Sequence, residues 1–390
     1  MSYCFRTETF QNINKHINKH ERILIFMNTF GFLSLGLIGG SIALAIRQVN
    51  PDAKIIAYAR RQETLDEALA AGAIDEGTTT IDNRFGDCDL IFLCAPVAVN
   101  NKFLEQLKPV LSEKTMITDV GSVKGAIHES VHALGLDRHF IGGHPMAGSE
   151  KTGFANASPL ILENAYYILT PTDLAPKETI AEYYSLVKKM GAIPLILSHK
   201  EHDYVTAAVS HVPHLVAAAL ANLVHDHDSE ECTMKLIAAG GFKDITRIAS
   251  SSPDMWESIC MSNTENIADL LDDYICSLQT ISKAVRAKQL GFTYDLFKAS
   301  KEYRDSFADA PKGPIKKIYA CYVDIPDEAG ALAAIATLLA KADISIKNIG
   351  IVHNREFEEG VLRVEFYEEA ALAEAVSLLQ GLHYAVYQRK

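Results

Sequence analysis

The pattern of apolar and polar positions divides the chain into three folded regions. Between residues 29 and 195, short apolar runs alternate with amphipathic stretches. The stretches predict helices at Leu37–Gln48, Thr64–Ala71, Asn101–Leu107 and Ile180–Met190. The runs predict strands at Phe30–Leu35, Lys54–Tyr58, Leu90–Cys94, Thr115–Thr118 and Tyr166–Thr170. Near-continuous apolar strands that alternate with helices indicate an α/β fold, a doubly wound parallel sheet with a ligand crevice at the carboxyl ends of its strands.

The strand pattern stops near residue 199. From there to about residue 301 the sequence predicts helices at His202–Val224, Glu230–Ala239, Phe242–Ala249 and Ser252–Gln289. Several are apolar around most of their circumference and need a surface to pack against. A second copy of the chain would supply that surface, so we expect a homodimer. The longest apolar stretch, Ala207–Val224, contains two histidines and a proline, which favours a buried helix over a membrane span.

A third pattern follows the Pro- and Gly-rich linker at residues 308–314. It predicts strand, helix, strand, strand, helix and strand at Lys317–Ile325, Ala331–Ala342, Ile344–His353, Val361–Tyr367, Ala370–Gln380 and Tyr384–Gln388. That order is ferredoxin-like α+β. We therefore expect a dinucleotide-binding Rossmann-type domain at 27–197, an all-α dimerisation domain at 198–307 and a small domain at 315–390. Residues 1–26 are a polar extension without a fold pattern, and Met27 is an alternative start.

Composition narrows the classes of function. The net charge of −12 argues against a nucleic-acid partner, because such proteins carry clustered Lys and Arg. The seven cysteines are odd in number and form no CxxC pair, which is typical of reduced thiols in a cytoplasm. The N-terminus has no signal-peptide pattern. We expect a cytoplasmic protein with neither a nucleic-acid nor a membrane partner.

The turn after the first predicted strand has the spacing of a dinucleotide-binding loop. Gly36 and Gly39 occupy the second and third positions of G-x-G-x-x-G, while Ser34 replaces the first glycine. Free N–H groups at the start of the following helix would bind a pyrophosphate. The predicted cofactor contacts are therefore Gly36, Leu37, Ile38 and Gly39, together with Pro96 after a later strand.

The end of the second predicted strand bears on the choice of cofactor. A carboxylate usually binds the ribose 2′-hydroxyl there, but this chain has Arg60 and Arg61 instead. Arginines can bind a 2′-phosphate, so we favour acceptance of NADP as well as NAD. The alternative is that both are solvated residues at a helix start.

A histidine in the segment Gly142–Glu150 is the first catalytic candidate. His144 lies between two glycines and a proline, which fix the backbone on both sides. We interpret the segment as a stiff loop that aims the histidine at a small molecule. The alternative is a turn between two strands whose histidine only satisfies the backbone.

Five motifs in the same order make residues 27–301 resemble the prephenate/arogenate dehydrogenase (TyrA) family. The C-terminal module resembles an ACT domain, a small ligand-sensing fold. Ser34 is the main departure from the family pattern. The motifs are Gly36–Ser41, Asp119–Lys124, Gly143–Glu150, Ser210–His214 and Gly240–Arg247.

The resemblance implies NAD(P)-dependent oxidative decarboxylation of prephenate to 4-hydroxyphenylpyruvate in tyrosine biosynthesis. His144 would accept the proton of the ring C4 hydroxyl as a base poised near neutral pH. Ser122 would bond both that hydroxyl and His144, and would touch the nicotinamide; the alternative is a helix cap. The aromatic product makes loss of CO₂ strongly downhill, so we expect no metal. A composition typical of metal sites at residues 225–232 is interpreted as a solvated loop.

The resemblance also assigns the substrate pocket. Arg247 would bind the ring carboxylate, with Lys243 on the same helix face; a surface salt bridge to Asp244 is the alternative. His211 and His214 would face the substrate side chain, unless both are satisfied core histidines. Without an acidic partner for an ammonium, they favour prephenate over arogenate. Trp256 either closes the pocket or packs in a core, and the residues expected to organise the pocket are Ser149 and Glu150.

In the ACT-like module the resemblance implies feedback by L-tyrosine. The loop before the first helix would bind the carboxylate of the amino acid, and the following strand would hold its other end. The residues concerned are Asp327, Glu328, Ala329, Gly330, Asn348 and Ile349. A dimerisation module without a ligand is the alternative. For the whole chain, the alternatives are an arogenate dehydrogenase and a non-catalytic regulator that binds a dinucleotide and an amino acid.

Overall fold

The computed structural model describes residues 27–148, 151–307, 319–326, 328–352 and 360–388. They divide into two compact units, the first ending at Lys283 and the second beginning at Ala284. The extension 1–26 and the linker 308–314 lie outside the described residues, as do three predicted site residues, Ser149, Glu150 and Asp327.

A parallel sheet with the order β3-β2-β1-β4-β5 forms the centre of the first unit. Its strands are β1 Thr29–Leu33, β2 Lys54–Tyr58, β3 Glu76–Thr78, β4 Leu90–Leu93 and β5 Met116–Asp119. The helices are α1 Leu37–Val49, α2 Gln62–Ala70, α3 Val97–Leu107 and α4 Gly125–Ala133. Every residue of β4 and β5 is buried, because helices cover both faces of the sheet. The predicted doubly wound α/β fold is confirmed.

The order of the strands locates the ligand crevice. From β1 the chain proceeds outward through β2 and β3, and then continues on the other side of β1 with β4 and β5. The strand order therefore reverses between β1 and β4. In open parallel sheets, ligands bind outside the carboxyl ends of the strands at such a reversal.

A smaller sheet continues the first one. It contains β6 Ile141–Pro145, antiparallel to β7 Tyr166–Pro171, which runs parallel to β8 Ile193–Ile196; helix α5, Lys177–Lys189, connects β7 to β8. A parallel bridge joins Ile117 of β5 to Phe140, directly before β6. Strand β6 thus runs in the direction of β5, and its carboxyl end lies at the edge of the sheet that holds the crevice.

The stiff loop predicted around His144 is therefore wrong, because Ile141–Pro145 is a fully buried strand. The glycines permit close packing rather than an unusual turn. A Cβ on Gly143 would lie 2.6 Å from the carbonyl oxygen of Asp119, and one on Gly142 would lie 2.2 Å from Thr170 Oγ1. The sequence pattern also missed β3, β8 and α4, which are short or interrupted by polar residues.

The helical region begins with one continuous helix. Helix α6, His199–Thr206, passes through a π-helical turn at Ala207–His211 into α7, Val212–His227. Its length and composition alone would allow it to cross a membrane. The buried helix predicted at Ala207–Val224 is only partly buried in the single chain. The following helices are α8 Thr233–Ile237, α9 Gly240–Thr246, α10 Pro253–Ser262, α11 Thr264–Arg286 and α12 Leu290–Ser306.

The C-terminal module is an antiparallel sheet with two helices on one face. The strand order is β10-β11-β9-β12, from β9 Tyr319–Ile325, β10 Ile346–Val352, β11 Gly360–Phe366 and β12 Val386–Tyr387. The helices are α13 Ala331–Lys341 and α14 Glu369–Gly381. Alternate residues of β9, including Cys321 and Val323, pack in one core with Ile335 of α13 and Leu379 of α14. The predicted ferredoxin-like arrangement is confirmed.

Candidate active site

The loop between β1 and α1 has the shape of a phosphate cradle. Ser34 has φ of 79°, the left-handed region that glycine usually occupies, so the serine retains the backbone conformation of the glycine it replaces. Gly36 precedes α1 without a side-chain cap, which leaves the first N–H groups of the helix free. A Cβ on Gly36 would meet nothing within 4 Å, whereas one on Gly39 would lie 3.0 Å from Cys94 Sγ. The open space at Gly36 would admit a dinucleotide pyrophosphate, and the close packing at Gly39 holds the helix against the sheet.

Other predicted cofactor contacts lie at the same edge of the sheet. Pro96 directly precedes α3 at the end of β4. Arg60 and Arg61 are exposed after β2, and Arg61 is the residue before α2. Both arginines can therefore meet a ligand at the end of the second strand. No carboxylate belongs to β2 or to the three residues after it.

A buried ion pair between the end of β5 and the residue before α4 is hydrogen-bonded to β6. Lys124 Nζ contacts Asp119 Oδ2, and both side chains are fully inaccessible. Lys124 Nζ also donates a hydrogen bond to the carbonyl oxygen of Gly143, 2.7 Å away, while the N–H of Gly143 donates to Asp119 Oδ1 over 3.2 Å. The residue before His144 is thus fixed on both sides of its backbone. The sequence interpretation assigned no role to this pair, although both residues belong to a quoted motif.

His144 is buried and bonded to a second histidine. Its side chain is only 8% exposed, and its Nδ1 lies 2.8 Å from Nε2 of the fully buried His202. His202 Nδ1 lies 2.7 Å from Asp203 Oδ1. Burial lowers the pKa of His144 well below its ordinary value, and His202 and Lys124 add to the effect. His144 is therefore neutral, as a base must be, but it is not poised near neutral pH as predicted.

Asp203 connects this histidine pair to the turn that carries Ser122. Its two carboxylate oxygens accept hydrogen bonds of 2.7 Å from the backbone N–H groups of Lys124 and Gly125, at the start of α4. Asp203, not Ser122, therefore caps that helix. Ser122 is half-buried, and no hydrogen bond between it and His144 is found among the described residues.

The predicted aromatic pocket residues lie together. His214 stacks on Trp256 with ring centroids 3.8 Å apart, and His211 forms a T-shaped pair with the same indole at a centroid distance of 6.0 Å. His211 is 1% exposed, and burial lowers its pKa to about 4. Asn263 Nδ2 lies 3.2 Å from His211 Nδ1 and 2.8 Å from the carbonyl oxygen of Asp203. Asn263 therefore links the pocket to the His202–Asp203 pair, a contact that the sequence did not indicate.

The predicted carboxylate-binding residues are exposed. Helix α9 ends at Thr246, and Arg247 begins a separate 3₁₀ turn. The prediction that Arg247 shares a helix with Lys243 is therefore wrong. That turn packs against α7, the helix that carries His214. Within the described part of the chain, no ion pair joins Arg247 to Asp244. The surface salt bridge considered for Arg247 is therefore not formed.

Comparison with known proteins identifies the family. The model described as "Prephenate dehydrogenase, nucleotide-binding domain" matches residues 42–195, and "Prephenate dehydrogenase, dimerization domain" matches residues 198–299. The prephenate dehydrogenase of Bacillus subtilis (strain 168) is 38% identical over 344 residues, which cover 88% of this chain and 93% of that protein. The chain belongs to the prephenate dehydrogenase family. It is accordingly an NAD(P)-dependent dehydrogenase.

Solved structures of prephenate dehydrogenases and their relatives have the same fold. The A. aeolicus prephenate dehydrogenase, in complex with hydroxyphenyl propionate and NAD⁺, matches with a TM-score of 0.68 at 32% identity, over 72% of this chain and 98% of that chain. The Synechocystis arogenate dehydrogenase matches with a TM-score of 0.65 at 29% identity, over 72% and 99%. The family predicted from the five motifs is confirmed.

Membership of the prephenate dehydrogenase family also accounts for the apolar surface of the helices. Large side chains such as Leu223, Leu236 and Ile237 are exposed in the single chain. They lie within residues 198–299, which match the family's dimerisation domain. A second copy of the chain supplies the surface that these helices need, as predicted.

Two further predicted sites, the polar stretch at residues 225–232 and the ligand site of the C-terminal module, have fewer defined contacts. At residues 225–232, His225 Nδ1 lies 3.0 Å from Asp226 Oδ1, and both are exposed. Over the described ranges no group of three or more His, Cys, Asp or Glu side chains could hold a metal.

In the C-terminal module, Gly330 has φ of 99° before α13, Glu328 and Ala329 are exposed beside it, and β10 carries Asn348 and Ile349.

Proposed function

We propose that the chain oxidises and decarboxylates prephenate at the crevice between the phosphate cradle and the aromatic pocket, with His144 as the base. NAD(P)⁺, when bound, accepts the hydride from ring carbon C4. The hydroxyl on that carbon must lose its proton at the same time. Loss of CO₂ then follows readily, since the ring becomes aromatic.

One observation carries the role of His144. Asp203 is a carboxylate that only accepts hydrogen bonds, so His202 Nδ1 carries a proton and donates it. The Nε2 of a neutral His202 is then bare and accepts from His144 Nδ1–H. His144 Nε2 is consequently the bare nitrogen of a buried, neutral imidazole, which is the form that can accept the hydroxyl proton. Ser122, in the turn between β5 and α4, is the proposed partner of the same hydroxyl.

The pocket histidines support prephenate as the substrate rather than arogenate. Asn263 Nδ2 is the donor towards His211 Nδ1, because the same amide nitrogen donates to the carbonyl oxygen of Asp203. Neutral His211 therefore carries its proton on Nε2 and presents a donor. A donor suits the keto group and the carboxylate of a pyruvyl side chain, and it repels the ammonium of arogenate. Arg247 is the proposed partner of the ring carboxylate, supported by Lys243, with Trp256 closing the pocket.

The enzyme is further proposed to accept both NAD⁺ and NADP⁺. NAD(P) binding by the family fits the cradle at Gly36, and exposed Arg60 and Arg61 after β2 supply cations for a 2′-phosphate.

In the C-terminal module, L-tyrosine is the proposed effector, bound between the loop at Gly330 and the strand that carries Asn348. Deletion of residues 315–390 should abolish inhibition by tyrosine while leaving catalysis. Inhibition that persists after the deletion would contradict this assignment. A cytoplasmic location stays a prediction.

Reduced nicotinamide absorbance provides the decisive assay. Purified enzyme is given prephenate or arogenate, each with NAD⁺ or NADP⁺, in four reactions. We expect prephenate turnover with both cofactors and little turnover of arogenate. His144→Asn should lower kcat about 10²–10⁴-fold, the usual contribution of a general base, and leave cofactor affinity unchanged. Full kcat in this variant would remove His144 from the mechanism, and absence of turnover in the parent enzyme would overturn the proposed function.

A further inference from the structure

His144 has an environment that suits a proton acceptor only in part. Besides His202, the groups that shift its pKa are the cation Lys124 and the ring of His211, and all of them oppose a positive charge. No carboxylate is among these groups, and Asp119 is already paired with Lys124. If the substrate proton stayed on His144, the result would be a buried cation without an anionic partner, which is strongly unfavourable.

His202 has the anionic partner that His144 lacks. Its Nδ1 lies 2.7 Å from Asp203 Oδ1, while its Nε2 lies 2.8 Å from His144 Nδ1. Burial also lowers the pKa of His202, but the hydrogen bond that His202 donates to Asp203 opposes that shift. Burial opposes ionisation of Asp203 as well, yet hydrogen bonds from His202 and from two backbone N–H groups keep its pKa below the ordinary value. An imidazolium is therefore better stabilised on His202 than on His144.

We infer that His144, His202 and Asp203 form a proton relay in which His202 holds the proton taken from the substrate. The inference rests on the proposed function. The proton of the C4 hydroxyl moves to His144 Nε2, and the proton of His144 Nδ1 moves to His202 Nε2. His144 is neutral before and after, His202 becomes an imidazolium facing ionised Asp203, and no electrons are transferred. Reversal of both transfers after product leaves returns one proton to water.

The relay is rigid, which proton transfer along short hydrogen bonds requires. His202 and Asp203 are consecutive residues of α6. Asp203 is also bound by the first N–H groups of α4, and its carbonyl oxygen accepts from Asn263. In this arrangement His202 and Asp203 are positioning residues that act through His144, the residue that accepts the substrate proton in the proposed mechanism.

Nitrogen NMR of the resting enzyme tests the hydrogen-bond chain without turnover. Ring ¹⁵N shifts distinguish a protonated nitrogen from a bare one. We expect protons on the Nδ1 atoms of both His144 and His202 and bare Nε2 atoms, with His144→Asn and His202→Gln providing the assignments. A proton on Nε2 of His144 would overturn the relay, whatever the enzyme is found to oxidise.

Asp203→Asn tests the charge at the end of the chain. The amide removes the negative charge that faces His202, and its N–H2 group replaces one of the two oxygens that accept from His202 and from the first N–H groups of α4. In the Ser-His-Asp triad the corresponding change lowers kcat about 10⁴-fold. We expect a loss of about 10²-fold or more in kcat, with KM and cofactor affinity near those of the parent enzyme. The matched control is Asp226→Asn, since Asp226 contacts the preceding His225 in the same way but at the surface; its kcat should be unchanged.

His202→Gln separates the relay from simple orientation. Its amide oxygen can accept from His144 Nδ1–H but cannot hold a proton, so we expect correct folding, unchanged KM and a kcat at least about tenfold lower. Proton inventories in H₂O–D₂O mixtures give a second measurement, which a merely structural role would not move. The parent enzyme should give a curved plot, because two protons move, and the variant a linear one. Full kcat in His202→Gln, or a linear plot for an active parent enzyme, would refute the relay while leaving the proposed function in place.

Discussion

Replacement of Lys124 by methionine tests the buried ion pair beneath the active site. The methionine keeps most of the side-chain volume but leaves the carboxylate of Asp119 without its cation. It also removes the hydrogen bond to the carbonyl oxygen of Gly143. Both Lys124 and Asp119 are fully inaccessible, so water cannot replace the lost partner.

The structure sets the magnitude of the effect. Removal of one member of a buried ion pair costs about 3–5 kcal/mol, because an uncompensated charge stays in the interior. For a unit of this size, such a loss corresponds to a Tm lower by about 6–20 °C. Because Gly143 precedes the proposed base, we also expect a lower kcat in whatever fraction remains folded.

Urea unfolding and thermal melting measure the loss, with Lys114→Met as the matched control. Lys114 pairs with Asp89 over 3.2 Å, but its side chain is 64% exposed. An exposed pair contributes about 0–1 kcal/mol, so the control should unfold almost as the parent protein does. The double change Lys124→Met with Asp119→Leu should recover part of the stability, because no charge then stays buried, although the N–H groups of Gly121 and Gly143 lose their acceptor. A single Lys124→Met variant within about 1 kcal/mol of the parent protein would refute the reasoning.

Three further predictions follow from the same structure. Ser34→Gly should raise the free energy of unfolding by about 1 kcal/mol, because glycine adopts a left-handed backbone without the Cβ penalty. The variant should also retain cofactor binding. Loss of binding, measured by nucleotide titration, would contradict the placement of the cradle. Arg60→Ala should raise KM for NADP⁺ several-fold more than KM for NAD⁺, and equal changes would remove the proposed 2′-phosphate contact. Burial lowers the pKa of His128 to about 3 and that of His211 to about 4, so below pH 6.5 the unfolded chain binds protons that the folded chain does not. The free energy of unfolding should therefore be at its maximum above pH 6.5 and fall as the pH decreases towards 4. In urea titrations, His128→Gln should make this dependence on pH less steep. An unchanged dependence would contradict the lowered pKa of His128.

The sequence by itself determined the fold class and most of the elements. Strand β2 was predicted at Lys54–Tyr58, where the structure has it. Apolar runs specify strands of a parallel sheet because both faces are buried, and the G-x-x-G spacing from Gly36 specifies a turn through local backbone requirements. Local patterns of this kind act within about ten residues, so they are readable without the fold. The same holds for the amphipathic helices of the C-terminal module.

Only the tertiary structure decided the chemistry around His144. His202 and Asp203 are 58 and 59 residues further along the chain, and their contacts arise because α6 packs where β5 and β6 end. The burial that lowers the pKa of His144 likewise comes from elements distant in sequence. The sequence suggested a stiff loop with a base near neutral pH, because glycine and proline indicate turns locally. In the fold, Gly142 and Gly143 instead allow a central strand to approach its neighbours, and the base depends on a partner that no local pattern indicates.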